Sequence, residues 1–242
     1  TAALDTKKFA HTIGREGDKL KLSSPLESHR SGHLCEALVA LDAGIEHHPA
    51  FAAIEIDYGE LDEAQLQQPK TPLSDATLSK QLVYYELDQG LNQIVRKWSE
   101  PIPADSTSLL AIPGGSDGPG GVLVLGLSEI QYRRPGKPAI VLSLPPQLAQ
   151  SFVTSSCLVK VRAVFFFLIQ FESGDVFKLA VSEEYIQMRL FDSLPVASSL
   201  SVLRAGFLFV ATQNGPSHSI YRIVGLADSE DVPEFNSSNA NN

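Results

Sequence analysis

The feature that most constrains this chain is a recurrence. Short apolar runs, rich in Val, Ile, Leu, Phe and Tyr and broken by Gly, Pro, Asn, Asp or Ser, come in groups of four. Such breaks are strand punctuation. The first group covers 33–42, 50–57, 81–88 and 91–99, and the second 107–113, 121–125, 129–133 and 139–143. The third covers 152–158, 163–171, 175–181 and 185–191, and a fourth holds only 196–203, 206–212 and 217–224. The last three groups start about 45 residues apart, a period that signals four-stranded propeller blades. The first is longer because of one polar insertion, 59–79. Only two weak helical patterns occur, at 61–68 and 147–152, and each is too short for a stable helix.

Burial should differ within each group. Blades stack face to face, so a middle strand is covered on both sides and reads as a continuous apolar run. FAAI, GVLVLG, AVFFFLIQF and GFLFVAT, the second members, do so. An outer strand should alternate, as Ile186, Met188 and Leu190 do against Gln187 and Arg189, and Leu20 and Leu22 against Lys19 and Lys21. The runs 9–13 and 19–23 read as the last two strands of an earlier blade. The expected divisions are 1–33, the end of a preceding blade; 34–99, a blade with a disordered insertion at 59–79; blades at 107–143 and 152–191; an incomplete blade at 196–224; and a flexible linker at 225–242. A ring closes with about four to eight blades, so about four blades suggest an arc of a larger protein.

Composition narrows the chemistry. With 19 Lys+Arg against 28 Asp+Glu the net charge is −9, a poor start for a phosphate-binding surface, which needs cations to release counterions. Basic residues are scattered, and no nucleic-acid specificity is expected. No apolar run reaches the roughly 20 residues that span a bilayer, and the first residues lack a secretory pattern, so no membrane role is expected. Two cysteines, Cys35 and Cys157, are too few for a disulfide scaffold or zinc ribbon and suit a reducing compartment.

The candidate chemical sites are weak. PGGSDGPGG at 113–121 is Gly-rich, but no Lys-Ser/Thr or helix follows it, and it fits neither nucleotide fingerprint. It reads as a turn between two strands with four or more left-handed positions. Ser116 lacks the strand-to-helix context of a nucleophile elbow. His29, His33, Cys35, His47 and His48 match no metal-ligand spacing. Glu55 and Asp57 share one strand face, as do Glu86 and Asp88; these acids, with Glu183 and Glu184, read as solvated or paired rather than as an acid/base couple. No catalytic, cofactor-binding or metal residue is assigned, and no cofactor is expected.

Segments spread over the chain resemble the first propeller of the splicing factor 3b subunit 3 family. They are SSPLE at 23–27, FAAIEID at 51–57, YYELDQGLNQIVRKWSEP at 84–101, PGGSDGPGG at 113–121, FFFLIQFESGDVFKL at 165–179, FDSLPVASSLSVLRAGFLFVA at 191–211 and PEF at 233–235. Related proteins are the large damaged-DNA-binding subunit and the largest cleavage/polyadenylation subunit. The resemblance implies an all-β, seven-bladed, WD40-like propeller of which these are later blades, within a three-propeller scaffold. It implies a nuclear, non-catalytic role in the SF3b complex of the U2 snRNP in pre-mRNA splicing. The implied partners are the helical-repeat subunit 1, the small subunit 5 and other snRNP proteins. The insertions at 59–79 and 145–156 follow the family only in being polar. Expected contact loops are 99–106, 144–151, 192–195 and 212–216, at the blade rims. Rival readings are a ubiquitin-ligase or polyadenylation adaptor and, from another class, a propeller hydrolase or lectin.

Overall fold

The computed structural model describes residues 8–28, 32–42, 49–57, 79–88, 90–161, 164–203, 206–212, 218–223 and 234–237, and every regular element among them is a strand. No helix of the described residues is long and apolar enough to cross a membrane. The chain divides into two compact units, 1–115 with 120–122 and 116–119 with 123–242.

The first unit carries β1 (Phe9–Ala10), β2 (Ile13–Glu16), β3 (Lys19–Leu22), β4 (Leu26–Glu27), β5 (His33–Leu41), β6 (Ala50–Asp57), β7 (Lys80–Asp88), β8 (Gln93–Ile102) and β9 (Ser106–Ala111). Strands β5 to β8 form an antiparallel meander in chain order, with bulges between Cys35 and Ala37 and, opposite the Tyr84–Tyr85 step, in β8. Successive side chains of a strand point to opposite faces. The consecutive burial of Ala52, Ala53, Ile54, Glu55 and Ile56 therefore means that both faces of β6 are covered. On one face Ala53, Val83 and Tyr85 form a core with Cys35, Phe51 and Ile94, and the rings of Phe51 and Tyr85 stack at 4.9 Å. On the other Tyr84 meets Trp98 at 5.1 Å, and β9 lies against β5 and β6.

The N-terminal strands differ from expectation. The run 9–13 is not one strand: β1 pairs with β4, whereas β2 pairs with β3 in a separate ribbon. The chain turns between them at His11 and Thr12, whose Nδ1 and backbone N–H bond to Ser23 O and Oγ at 3.0 and 2.9 Å. Lys19–Leu22 is a strand as expected, but both its faces are exposed, so Leu20 and Leu22 do not reach a core. Backbone pairing with β2 closes the ribbon, and a two-stranded ribbon without a buried face is only marginally stable by itself.

The second unit carries most of β10 (Val122–Gly126), then β11 (Glu129–Arg133), β12 (Ile140–Ser143), β13 (Val153–Val161), β14 (Val164–Phe171), β15 (Asp175–Val181), β16 (Ile186–Ser193), β17 (Ala197–Leu203), β18 (Phe207–Thr212), β19 (Ser219–Arg222) and β20 (Glu234–Asn236). β10 to β12 are neighbours in chain order, as are β13 to β16 and β17 to β19. The region 147–152, a weak helical pattern, is a turn: Leu148 and Ala149 both donate to Pro145 O at 2.9 Å, and Gln150 has φ 70°. The other weak pattern, 61–68, and the insertion 59–79 up to residue 78 lie outside the described residues.

Phe166 to Ile169 of β14 are buried without a break, so this strand too is dry on both faces. One face, with Val159, Phe166, Leu168 and Val176, packs on Ala197, Leu200, Leu208 and Val210 of the next sheet, and β13 lies along β17. The first strands of successive sheets are therefore adjacent here, as β5 and β9 are in the first unit. β18 follows the rule on one face only, because Phe207 is exposed and Phe209 half-buried.

Gln170 fastens the third sheet to the fourth. Fully buried, it donates through Nε2 to the carbonyls of Gly174, Leu194 and Pro195 at 3.1, 3.1 and 3.2 Å. Its Oε1 accepts from Ala197 N at 2.9 Å and Ser155 Oγ at 3.3 Å. Two N–H groups shared among three carbonyls, with the amide oxygen also engaged, satisfy a polar side chain inside an apolar strand. Gly174 is required at this corner: its φ is 91°, and a Cβ would lie 2.6 Å from Leu194 O.

Glu234–Asn236 corrects the expectation of a linker throughout 225–242. It is a fifth strand of the third sheet, antiparallel to β16. The segment around it is polar, but Phe235 supplies one apolar anchor, and the edge of β16 supplies backbone partners.

Candidate functional site

Only part of the Gly-rich loop matches its sequence reading. Three of its residues, Gly115, Gly120 and Gly121, have left-handed φ of 65°, 69° and 92°, where four or more were expected. Gly114 is needed for a different reason, since a Cβ there would sit 1.9 Å from Asp42 O. Within the first unit Ile112 N donates to Gly121 O at 3.0 Å and Gly120 N to Pro113 O at 2.8 Å, which closes the loop as a strand-to-strand turn. In the second unit Asp117 receives Lys160 Nζ at 2.9 Å and Ser116 Oγ at 3.3 Å. The hydrogen bond and charge of Lys160 hold the Asp117 carboxyl below the usual carboxylate range.

The His/Cys group disperses. His33 is buried with Nε2 3.4 Å from Asp57 Oδ2, and Cys35 Sγ donates to Ala37 O at 3.5 Å. His29, His47 and His48 lie outside the described residues. Among the described residues no group of three or more His, Cys, Asp or Glu is placed to hold a metal ion. Both cysteines are free thiols. Burial raises the Cys35 thiol and pushes that of Cys157 up to about 11.

The acids go to separate partners. Glu86 lies 3.4 Å from Lys97 Nζ, and Asp88 Oδ1 accepts from the backbone of Gly90 and Leu91 at 2.9 and 3.0 Å. Glu183 pairs with Arg134 at 3.0 Å, and the same guanidinium lies 5.1 Å from the Tyr132 ring centre. Burial pushes the Tyr132 phenol up to about 12, with Arg134 opposing. Glu184 is exposed. Glu55 and Asp57 share a strand face, yet Asp57 faces His33 while Glu55 serves a different group.

That group is a buried ion cluster. Lys8 Nζ lies 2.6 Å from Glu55 Oε1, Tyr85 OH donates to the same oxygen at 2.5 Å, and the ammonium sits 5.5 Å from the Tyr85 ring centre. Charge rather than an aligned hydrogen bond joins Lys8 to Glu55, and among the described residues Glu55 Oε2 has no hydrogen-bond partner. Burial, reinforced by the Glu55 carboxylate as acceptor, pushes the Tyr85 phenol well above its ordinary range. Sequence reasoning missed Lys8. The available signal was Glu55 itself: a carboxylate inside the apolar run FAAIEID must find a cation or donor. Closed off from solvent, the cluster ties residue 8 to β6 and β7 and presents no reacting group to a substrate.

Two of the four expected rim loops, 99–106 and 192–195, are shorter than the sequence suggested. β8 runs to Ile102, which leaves 103–105 of the first loop as turn, closed by Ser106 N donating to Pro103 O at 3.1 Å. In 144–151, Leu144 and Leu148 are buried while Pro146, Gln147 and Gln150 are exposed. In 192–195, Asp192 and Ser193 belong to β16, and the carbonyls of Leu194 and Pro195 hold Gln170. Of 212–216 only Thr212 is among the described residues.

Antiparallel sheets packed face to face, with dry middle strands and apposed first strands, are the blade arrangement of a β-propeller. The comparisons agree: a family model described as the RSE1/DDB1/CPSF1 first beta-propeller matches residues 1–237, and the chain belongs to that family. It is 38% identical over 256 residues to the pre-mRNA-splicing factor rse1 of Emericella nidulans, covering 98% of this chain and 21% of that protein. It is 39% identical over 253 residues to splicing factor 3B subunit 3 of Danio rerio, covering 98% and 20%. To spliceosome-associated protein 130 A of Arabidopsis thaliana it is 38% identical over 248 residues, again covering 98% and 20%. The chain thus spans about a fifth of the length of these relatives.

Proposed function

We propose that this chain is a non-catalytic scaffold segment of the SF3b complex of the U2 snRNP, holding partner subunits during branch-site recognition in pre-mRNA splicing. The observation that carries this reading is the identity of 36 to 39% with pre-mRNA splicing factors across 96 to 98% of the chain. The physical picture is compatible with it. Glu55, Glu86 and Glu183 are spent on internal pairs, and the middle strands are buried, so turns and sheet edges are the surfaces left for docking.

On this reading the protein acts in the nucleus, and its partners include the helical-repeat subunit 1 and the small subunit 5. Its contacts fall on the exposed parts of 99–106, 144–151, 192–195 and 212–216. The test is affinity purification of the full-length protein from nuclear extract. Recovery of U2 snRNA with those two subunits is expected. Recovery of a cullin or of cleavage/polyadenylation factors in their place would overturn the reading in favour of an adaptor role.

A further inference from the structure

The fifth strand of the third sheet is a short segment that returns to the outer edge of β16. Gln187, Met188 and Arg189 lie opposite Asn236, Phe235 and Glu234. The Glu234 carboxylate meets Arg189 Nε at 2.7 Å and accepts from Gln187 Nε2 at 2.7 Å. Phe235 stands opposite the fully buried Met188, and its ring centre is 6.4 Å from that of Phe177, which meets Phe171 edge-on at 5.5 Å. Ser237 completes the match by donating from N to Ile186 O at 2.9 Å and accepting from Ile186 N at its hydroxyl at 3.0 Å.

Each contact reads a different chemical feature. The guanidinium of Arg189 favours a negative charge and Gln187 Nε2 an acceptor oxygen, which one carboxylate supplies together; the row of Phe171 and Phe177 is extended by an aromatic ring, and Ile186 takes a hydroxyl two residues further on. Backbone pairing with pockets for particular side chains is how strand addition recognises an extended peptide. The pairing is also small: a three-residue strand gains little by itself. Ten residues, VGLADSEDVP, link Ile223 to Glu234 in the sequence, and three of them are acidic.

We propose that the outer edge of β16 is a strand-acceptor site for extended peptides in which an acidic residue precedes a bulky aromatic one, and that Glu234–Ser237 is its tethered resident occupant. Because Glu234–Ser237 belongs to the same chain as β16, its binding is an intramolecular event, which raises its effective concentration above that of a free peptide. A peptide in trans therefore competes poorly until the resident is weakened. The proposal rests on this sheet alone and does not depend on the splicing reading.

The experiment uses the whole protein and a fluorescent peptide of sequence VPEFNSS. The double variant Glu234→Lys, Phe235→Ala, checked for folding by circular dichroism, is expected to bind the peptide about tenfold or more tightly than the natural protein. Adding Arg189→Glu should remove that binding, and the peptide with Phe replaced by Ala should not bind. A folded double variant that fails to gain peptide binding, or that keeps it after Arg189→Glu, overturns the proposal. Hydrogen exchange of the natural protein gives a second reading that needs no variant. The Phe235 and Ser237 amides, which point at β16, should exchange about 100-fold faster than those of β15, because the resident strand opens without unfolding the sheet. Equal protection would make β20 a fixed part of the sheet and contradict the proposal.

Discussion

Lys8 Nζ lies 2.6 Å from Glu55 Oε1 with both side chains shut away from water, 6% and 0% exposed. Each ion gives up hydration on burial, and their attraction compensates only while both are present. The contact joins a residue just before β1 to the middle of β6, so it fixes where the N-terminal segment sits on the first meander.

Replacing Lys8 by Met should therefore destabilise the fold by about 3–5 kcal/mol, because the Glu55 carboxylate is left buried without a cation. The double change Lys8→Met, Glu55→Gln should recover most of that loss. Urea denaturation of the two variants and the natural protein measures both effects, and a double variant no more stable than Lys8→Met would refute the account of the pair.

The corner at Gln170 should be as sensitive. Gln170→Leu keeps the size and apolar context of β14 but strips hydrogen bonds from the buried carbonyls of the corner and from Ala197 N, a loss of about 2–4 kcal/mol. Gly174→Ala should cost roughly 2 kcal/mol or more, from the left-handed backbone and the clash with Leu194 O. Thermal unfolding of both variants is the check. Exposed changes such as Glu184→Gln should stay within about 0.5 kcal/mol.

Alkaline pH should weaken the protein. Tyr85, Tyr132 and Cys157 all hold their protons more tightly when folded than at their ordinary values of 10.0 and 9.0, chiefly through burial. The unfolded chain releases these protons first, so their contribution is complete below about pH 9 and is lost as pH rises toward the folded values. Denaturation midpoints should be flat with respect to these groups up to about pH 9 and fall above it. Tyr85→Phe should make the fall shallower, whatever it does to the midpoint at pH 7.

Cys157 should be slow to alkylate. With its pKa near 11 instead of 9.0, the thiolate fraction at pH 8 is about 100-fold below that of an ordinary thiol. Iodoacetamide labelling followed by mass spectrometry should find Cys157 modified quickly only after denaturant is added. Fast modification of the folded protein would contradict the burial argument.

The parts of the fold that sequence revealed are those governed by local pattern. FFFLIQF reads as a buried middle strand because consecutive apolar residues need cover on both faces, and β14 has it. Gln170 within that run gives no local sign of its task, since its partners lie 24 to 27 residues away at Leu194, Pro195 and Ala197. Lys8 is equally silent, because one of two adjacent lysines before a short strand looks solvated until Glu55 is placed beneath it. Leu20 and Leu22 alternate as an outer strand should, but alternation states only which residues share a face, and here that face is exposed. β20 escaped notice because three residues with one aromatic cannot be told from a linker without the edge they join.

The central claim is that the middle strands β6, β10 and β14 are dry on both faces. Hydrogen exchange read by mass spectrometry tests it most directly on the protein carrying this chain. Peptides within Ala52–Ile56, Leu123–Leu125 and Phe166–Phe171 should be the last to exchange, on the timescale of global unfolding, while the exposed ribbon Ile13–Leu22 exchanges early. If the β14 peptide exchanged as fast as that ribbon, the stacked-sheet account would be wrong, and the structural basis for a rigid scaffold would be lost.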